Sequence, residues 1–199
     1  MLKSKICGIT NLEDALQAID AGADALGFVF YEKSKRHISI DSAAEIISKL
    51  PPFVEKVALF VNARASYINS TCKACGATLA QIHFESSEEN FYKKLEVPYI
   101  NVIRAQCAED IDKFSDEYRL VDAYCESYGG SGKRVNLEWF ENRDNSKIIL
   151  AGGLDEHNVQ EVQKYGFYGV DVSSSTESSY GKKDAQKVSD FIKNAKACS

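Results

Sequence analysis

Cys7, Asp122, Arg36 and a set of glycine- and serine-rich turns are the places where this sequence can do chemistry. Cys7 closes the run Lys5-Ile6-Cys7, and Gly8 after it permits a tight backbone and close approach of a ligand. Once ionised beside Lys5, the thiol can act as a proton-transfer base; a buried structural thiol is the other reading of the same pattern. Asp122 ends Leu120-Val121-Asp122. A carboxyl at the end of an apolar strand is poorly solvated, so its pKa rises toward that of a general acid, unless loop amides bind it. Residues 31–37 carry Lys33, Lys35 and Arg36. Arg36 can grip a carboxylate or phosphate bidentately, although spacing alone reads as a solvated basic loop. Gly152-Gly153 and Ser173-Ser174 follow two late apolar runs and fit a cradle of backbone N–H groups for phosphate, with turn chemistry as the competing reading. Gly129-Gly130-Ser131-Gly132-Lys133 sits in a loop of about fourteen residues, a length usually given to lids and binding loops. His83 ends Gln81-Ile82-His83, either as a core histidine or as a ligand contact.

Eight apolar runs of β type place these residues, at 3–7, 25–30, 56–61, 79–84, 99–103, 119–122, 147–151 and 169–172. None joins the next by a two-residue hairpin turn. Parallel neighbours need crossovers of about a dozen residues, usually helical, and the intervening segments supply them. Thr10-Asn11-Leu12-Glu13 reads as a capping box opening a helix to residue 21, stopped by Gly22. Further helices are expected at 41–50, 66–75, 86–95, 108–114, 137–142, 157–165 and 184–197. Eight strands alternating with eight helices make an α/β fold of one domain over residues 1–199, a (β/α)8 TIM barrel; a doubly wound sheet fits fewer strands in this length. In such a barrel the active site lies at the C-terminal ends of the strands, where Cys7, His83, Asp122 and the late turns all fall.

Composition narrows the function classes. The 199 residues include 24 Lys+Arg against 29 Asp+Glu, for a net charge of −5. A nucleic-acid binder normally carries a basic excess, so none is expected as a partner. No run of 18 uncharged apolar residues exists to span a membrane, and the first ten residues lack the apolar core of a secretory signal, so a cytoplasmic location is expected. The six cysteines then read as reduced thiols. Cys72-Lys73-Ala74-Cys75 resembles half a zinc site, but no second ligand pair follows, and His37, His83 and His157 form no metal-spaced cluster; no metal is expected. No exposed apolar stripe is evident, which favours a monomer over a homodimer.

Taken together, these strand-end residues resemble the phosphoribosylanthranilate isomerase family of tryptophan biosynthesis. The likeness spans nearly the whole chain: KICGIT at 5–10, GADALGFVFYEKSKRHI at 22–38, ALFVN at 58–62, QIH at 81–83, LVDA at 120–123, YGGSGK at 128–133, LAGGL at 150–154 and GVDVSSSTE followed by GKKD at 181–184. The resemblance implies a (β/α)8 barrel that converts N-(5′-phosphoribosyl)anthranilate to 1-(2-carboxyphenylamino)-1-deoxyribulose 5-phosphate by an Amadori rearrangement, with no cofactor and no metal. It implies Cys7 as the base for the C2′ proton and Asp122 as the acid for the ring oxygen. It implies Arg36 as the holder of the anthranilate carboxylate and His83 as a residue of the site's rim. Gly132, Gly152, Gly153, Ser173 and Ser174 would bind phosphate, with Asp171 nearby. A barrel that merely bound a sugar phosphate would need neither Cys7 nor Asp122, and a simple pentose phosphate would offer Arg36 no carboxylate. Three positions depart from the family's usual pattern: Phe84 and Ser175 stand where glycine is usual, and the loop at 125–127 is shorter than in some members.

Overall fold

In the computed structural model, which describes residues 1–84, 87–123 and 134–197, eight parallel strands close into a barrel in sequence order. They are β1 (Lys3–Cys7), β2 (Ala25–Val29), β3 (Glu55–Val61), β4 (Leu79–His83), β5 (Tyr99–Ala105), β6 (Arg119–Ala123), β7 (Ile148–Leu150) and β8 (Gly169–Val172). The ring is sealed where β1 pairs with β8, setting Lys5 beside Asp171. A short antiparallel pair, β9 (Glu177–Ser179) and β10 (Lys182–Lys183), follows the last barrel strand. Strand alternation sends Ile6, Leu26, Phe28, Ala58, Phe60, Ile82, Val121, Leu150 and Val170 outward into the main hydrophobic core under the helices. The opposite set, including Lys5, Cys7, Gln81, His83, Asp122 and Asp171, faces the barrel interior.

All eight expected strands are present within two residues at either end. The helices are not. Among the described residues four α-helices form: α1 (Leu12–Asp20), α2 (Ile40–Ile47), α3 (Ala65–Cys75) and α4 (Ala185–Lys196). Within the segments read as helical at 86–95, 108–114, 137–142 and 157–165, the described residues form short 3-10 turns: Phe91–Lys94, Ala108–Asp112, Leu137–Phe140 and Val159–Tyr165. Nucleating an α-helix costs several residues' freedom before it gains hydrogen bonds. Left-handed residues bound all four turns tightly, with Asn90 before the first (φ 55°), Phe114 after the second (φ 55°), Asn142 after the third (φ 57°) and Gly166 after the last (φ 71°). The cap of α1 also differs from expectation. Asn11, not Thr10, accepts from the Asp14 N–H, and the Thr10 hydroxyl donates instead to the Gly181 carbonyl. Thr10 therefore pins the β9–β10 hairpin to the first barrel loop.

Candidate active site

Cys7 is the last residue of β1, 5% exposed, and sits in a small apolar group with Val29 and Leu59. Register places it beside Gly27 on β2. A Cβ at position 27 would lie 2.7 Å from the Cys7 sulfur and 3.1 Å from Lys5 Nζ, so glycine is what admits both groups. Burial pushes the thiol up, and the ammonium groups of Lys5 and Lys183 pull it back. Lys5 is itself buried and donates to Asp171 Oδ1 at 2.8 Å. Burial works to neutralise that ammonium, but Asp171 and Cys7 outweigh it and hold its pKa above the ordinary lysine value.

Asp122 stands on β6, one ladder step from Arg104 on β5. Burial, followed by the Asp171 charge, pushes its carboxyl up to about 6. Gly152, left-handed at φ 87°, lies so close that any Cβ there would overlap Asp122 Oδ1 and come within 2.9 Å of the Ala123 nitrogen. The first glycine of the late turn thus makes room for the acid, a task the sequence reading assigned only to phosphate. Gly153 is also left-handed, at φ 65°, and its carbonyl accepts from Asn158 Nδ2 at 3.0 Å. Ser173 donates its hydroxyl to the Cys7 carbonyl at 3.1 Å, tying the end of β8 to the end of β1. Ser174 is exposed at the start of a three-residue 3-10 turn, Ser174–Thr176. Gly132 lies outside the described residues.

Arg36 is held rather than free. Its Nε and Nη2 donate to the two oxygens of Glu177 at 2.6 and 2.8 Å. That side-on grip leaves the Nη1–Nη2 end of the fork for a ligand. Glu177 is buried and also receives Lys183 Nζ at 3.5 Å, while Lys183 donates to the Ser173 carbonyl at 2.9 Å. His83 accepts at Nε2 from the Gln81 amide, 3.0 Å away, which places its proton on Nδ1. Burial, with Lys5 and Arg104 nearby, drives its pKa down to about 3, so it is a neutral imidazole at ordinary pH. Phe84, directly after it, adopts φ 62°, a backbone region rare for a bulky side chain. The Arg104 guanidinium carbon lies 5.5 Å from the centre of its ring. The second departure, Ser175, uses its hydroxyl to cap the Leu154 carbonyl at 2.5 Å. Cys72 and Cys75 are two buried thiols on α3, the first pushed up to about 12 by burial. Among the described residues no group of three or more His, Cys, Asp or Glu side chains is placed to hold a metal ion.

A cation-flanked thiol and a largely buried carboxyl stand at the same barrel mouth, an arrangement suited to acid–base chemistry, and comparison with known proteins gives the chain a family. The family model described as N-(5′phosphoribosyl)anthranilate (PRA) isomerase matches residues 4–194. The chain belongs to this family. It is 62% identical over 195 residues to the N-(5′-phosphoribosyl)anthranilate isomerase of a Nitratiruptor species, covering 98% of this chain and 99% of the relative. The phosphoribosylanthranilate isomerase of Thermotoga maritima superposes with a TM-score of 0.88 at 37% identity, over 98% of this chain and 99% of that one. A phosphoribosylanthranilate isomerase solved with reduced 1-(o-carboxyphenylamino)-1-deoxyribulose 5-phosphate gives a TM-score of 0.82 at 34% identity, over 98% and 99% of the two chains. Of the residues brought together here, the sequence pointed to Lys5 only as a cation beside Cys7, and Lys183, Arg104 and Glu177 were not singled out at all. The motifs KICGIT, GVDVSSSTE and GKKD contain Lys5, Glu177 and Lys183, but nothing in their spacing shows that Lys5 meets Asp171 or that Lys183 meets Glu177.

Proposed function

We infer that the chain is an N-(5′-phosphoribosyl)anthranilate isomerase of tryptophan biosynthesis, and that Cys7 and Asp122 divide its Amadori rearrangement between them. The observation that carries this reading is the pairing of a cation-flanked thiol with a carboxyl raised to about 6 at the C-terminal ends of β1 and β6. Asp122 gives its proton to the furanose ring oxygen. The C1′–oxygen bond breaks and the nitrogen lone pair closes a C1′=N iminium. The Cys7 thiolate then removes the C2′ proton, and those electrons form the C1′=C2′ double bond of an enol-amine. Tautomerisation of this species delivers the ketone at C2′. Two groups held in opposite protonation states are what this sequence of steps needs.

The substrate brings two anions. Arg36, oriented by Glu177, takes the anthranilate carboxylate with the free end of its fork. Backbone amides after β7 and β8, at Gly152, Gly153, Ser173 and Ser174, together with Gly132, take the phosphate, with Asp171 setting the charge beneath them. His83 contributes a neutral rim to the pocket. The expected lack of apolar exposure fails at the opposite mouth, where Phe53 is fully exposed beside Tyr118 and Tyr168. No described helix is long and apolar enough to cross a membrane, and the described cysteines are free thiols, which supports a reducing, cytoplasmic location. Purified protein given freshly formed phosphoribosylanthranilate should consume its fluorescence with saturation kinetics; no turnover above the spontaneous rate would refute the assignment.

A further inference from the structure

We propose that the buried Lys5–Asp171 ion pair is a positioning element shared by both catalytic groups, its ammonium countering a Cys7 thiolate and its carboxylate keeping a proton on Asp122. The proposal rests on the acid–base reading above and adds to it the device that couples the two halves. Lys5 and Asp171 are direct partners in the ladder that closes the barrel. Their side chains are 6% and 10% exposed and meet at 2.8 Å. Lys5 Nζ and the Cys7 sulfur both face the space that Gly27 leaves open, 3.1 and 2.7 Å from where a Cβ there would stand. Such a pair is weak evidence for stability, because desolvation offsets most of its attraction. Its place between a base and an acid is better explained by what it does to them.

The charged groups around each site are few and lie on different elements. Cys7 faces Lys5 on β1, Asp171 on β8, Lys183 on β10 and Arg36 after β2. Lys5 faces Asp171, Cys7 and His83, the last neutral. Asp122 faces Asp171 and Arg104. In the free chain the thiol titrates above the carboxyl. The reactive form, thiolate with protonated acid, is then a minor species whose share falls as the two pKa values separate. Lys5 pulls the thiol down more strongly than Asp171 pushes it up, and Asp171 pushes the acid up, so the pair together narrows that gap and enlarges the reactive share. With this ordering the acid limb of the rate profile belongs to Asp122 and the alkaline limb to Cys7, each as a macroscopic value of the coupled pair.

The test is kcat against pH for the full chain, alongside iodoacetamide labelling of Cys7 read by peptide mass spectrometry. Lys5→Met should raise the alkaline limb and the labelling midpoint together by about one unit or more, with kcat on the plateau falling about tenfold and KM changing less. Asp171→Asn should lower the acid limb. Lys5→Arg, which keeps the charge, should restore most of the alkaline limb and the labelling midpoint. If a single variant fails to fold because one charge is left unpaired, Lys5→Met/Asp171→Leu removes both and is expected to fold; it should show the acid limb lowered and kcat reduced. Loss of kcat with both limbs and the labelling midpoint unmoved would make the pair merely structural and overturn the proposal. Failure of the underlying reading is separable: turnover surviving in Cys7→Ala would refute the base assignment, while the labelling midpoint would still report whether Lys5 governs the thiol.

Discussion

Around Cys7 the barrel gathers charge: Lys5, Lys183 and Arg36 approach, each matched by Asp171 or Glu177. Around Asp122 it gathers small and apolar groups, Gly152, Ala123 and the end of β6, with Arg104 on the adjacent strand. Both groups are short of water, and burial alone would drive both toward the neutral form. For an acid that is the useful direction, so β6 and β7 exclude solvent and the Asp171 charge only adds to what burial does. For a base it is the wrong direction, so β1, β10 and the loop after β2 bring in cations. The two sides therefore depend on different kinds of residue: packing and glycine geometry on the acid side, a long-range ion network on the base side.

Removing either catalytic group tests the comparison with the largest effect. Cys7→Ala and Asp122→Asn should each lower kcat about 100-fold or more, with smaller changes in KM. Cys7→Ser should rescue little, because a hydroxyl ionises far less readily than a thiol. A kcat within threefold of the parent for any of these would break the division of roles.

The next effect separates charge from geometry. Arg36→Ala should cost about 2–3 kcal/mol of transition-state binding, the scale of a charge-assisted bidentate contact, and Arg36→Lys should recover little of it. Glu177→Gln should raise KM about tenfold by loosening the fork while leaving the limbs of the pH profile in place. On the acid side, Gly152→Ala places a methyl group against the Asp122 carboxylate; kcat should fall about tenfold through geometry alone. Steady-state kinetics of the four variants would contradict the contrast if Gly152→Ala changed only KM, or Glu177→Gln only kcat.

Phe84→Gly is the smallest expected effect. Releasing a bulky residue from φ 62° should stabilise the fold by up to about 1 kcal/mol, offset in part by the greater freedom of glycine in the unfolded chain. A thermal melt lowered by several degrees would show that the ring's contact with Arg104 outweighs the backbone strain.

The barrel was legible in the sequence because short β-type runs recur with helix-length spacers between them and each strand pairs with its neighbour in the chain. The helical layer was less so. Ala108–Asp112 carries helix-forming residues, but Phe114 turns left-handed two residues later and cuts the segment to one 3-10 stretch. Cys7, Asp122 and the late glycines stood out as strand ends. The network that tunes them did not, because Lys5 meets Asp171 across 166 residues and Arg36 meets Glu177 across 141. Arg36 read as a solvated basic loop for the same reason: only closure of the ring brings its carboxylate partner to it. Gly152 was noticed for one role and has another, since its closeness to Asp122 depends on β6 and β7 being neighbours.

The central claim is that Cys7 takes the C2′ proton while Asp122 supplies the proton that opens the ring. Substrate deuterated at C2′ tests it directly, by following both turnover and loss of the label in the parent, Cys7→Ala and Asp122→Asn chains. The account predicts that loss of deuterium from C2′ nearly ceases in Cys7→Ala. In Asp122→Asn, substrate supplied already as the open-chain imine should still exchange its label at close to the parent rate, while the cyclic substrate turns over slowly. Removal of C2′ deuterium by Cys7→Ala at the parent rate would contradict it.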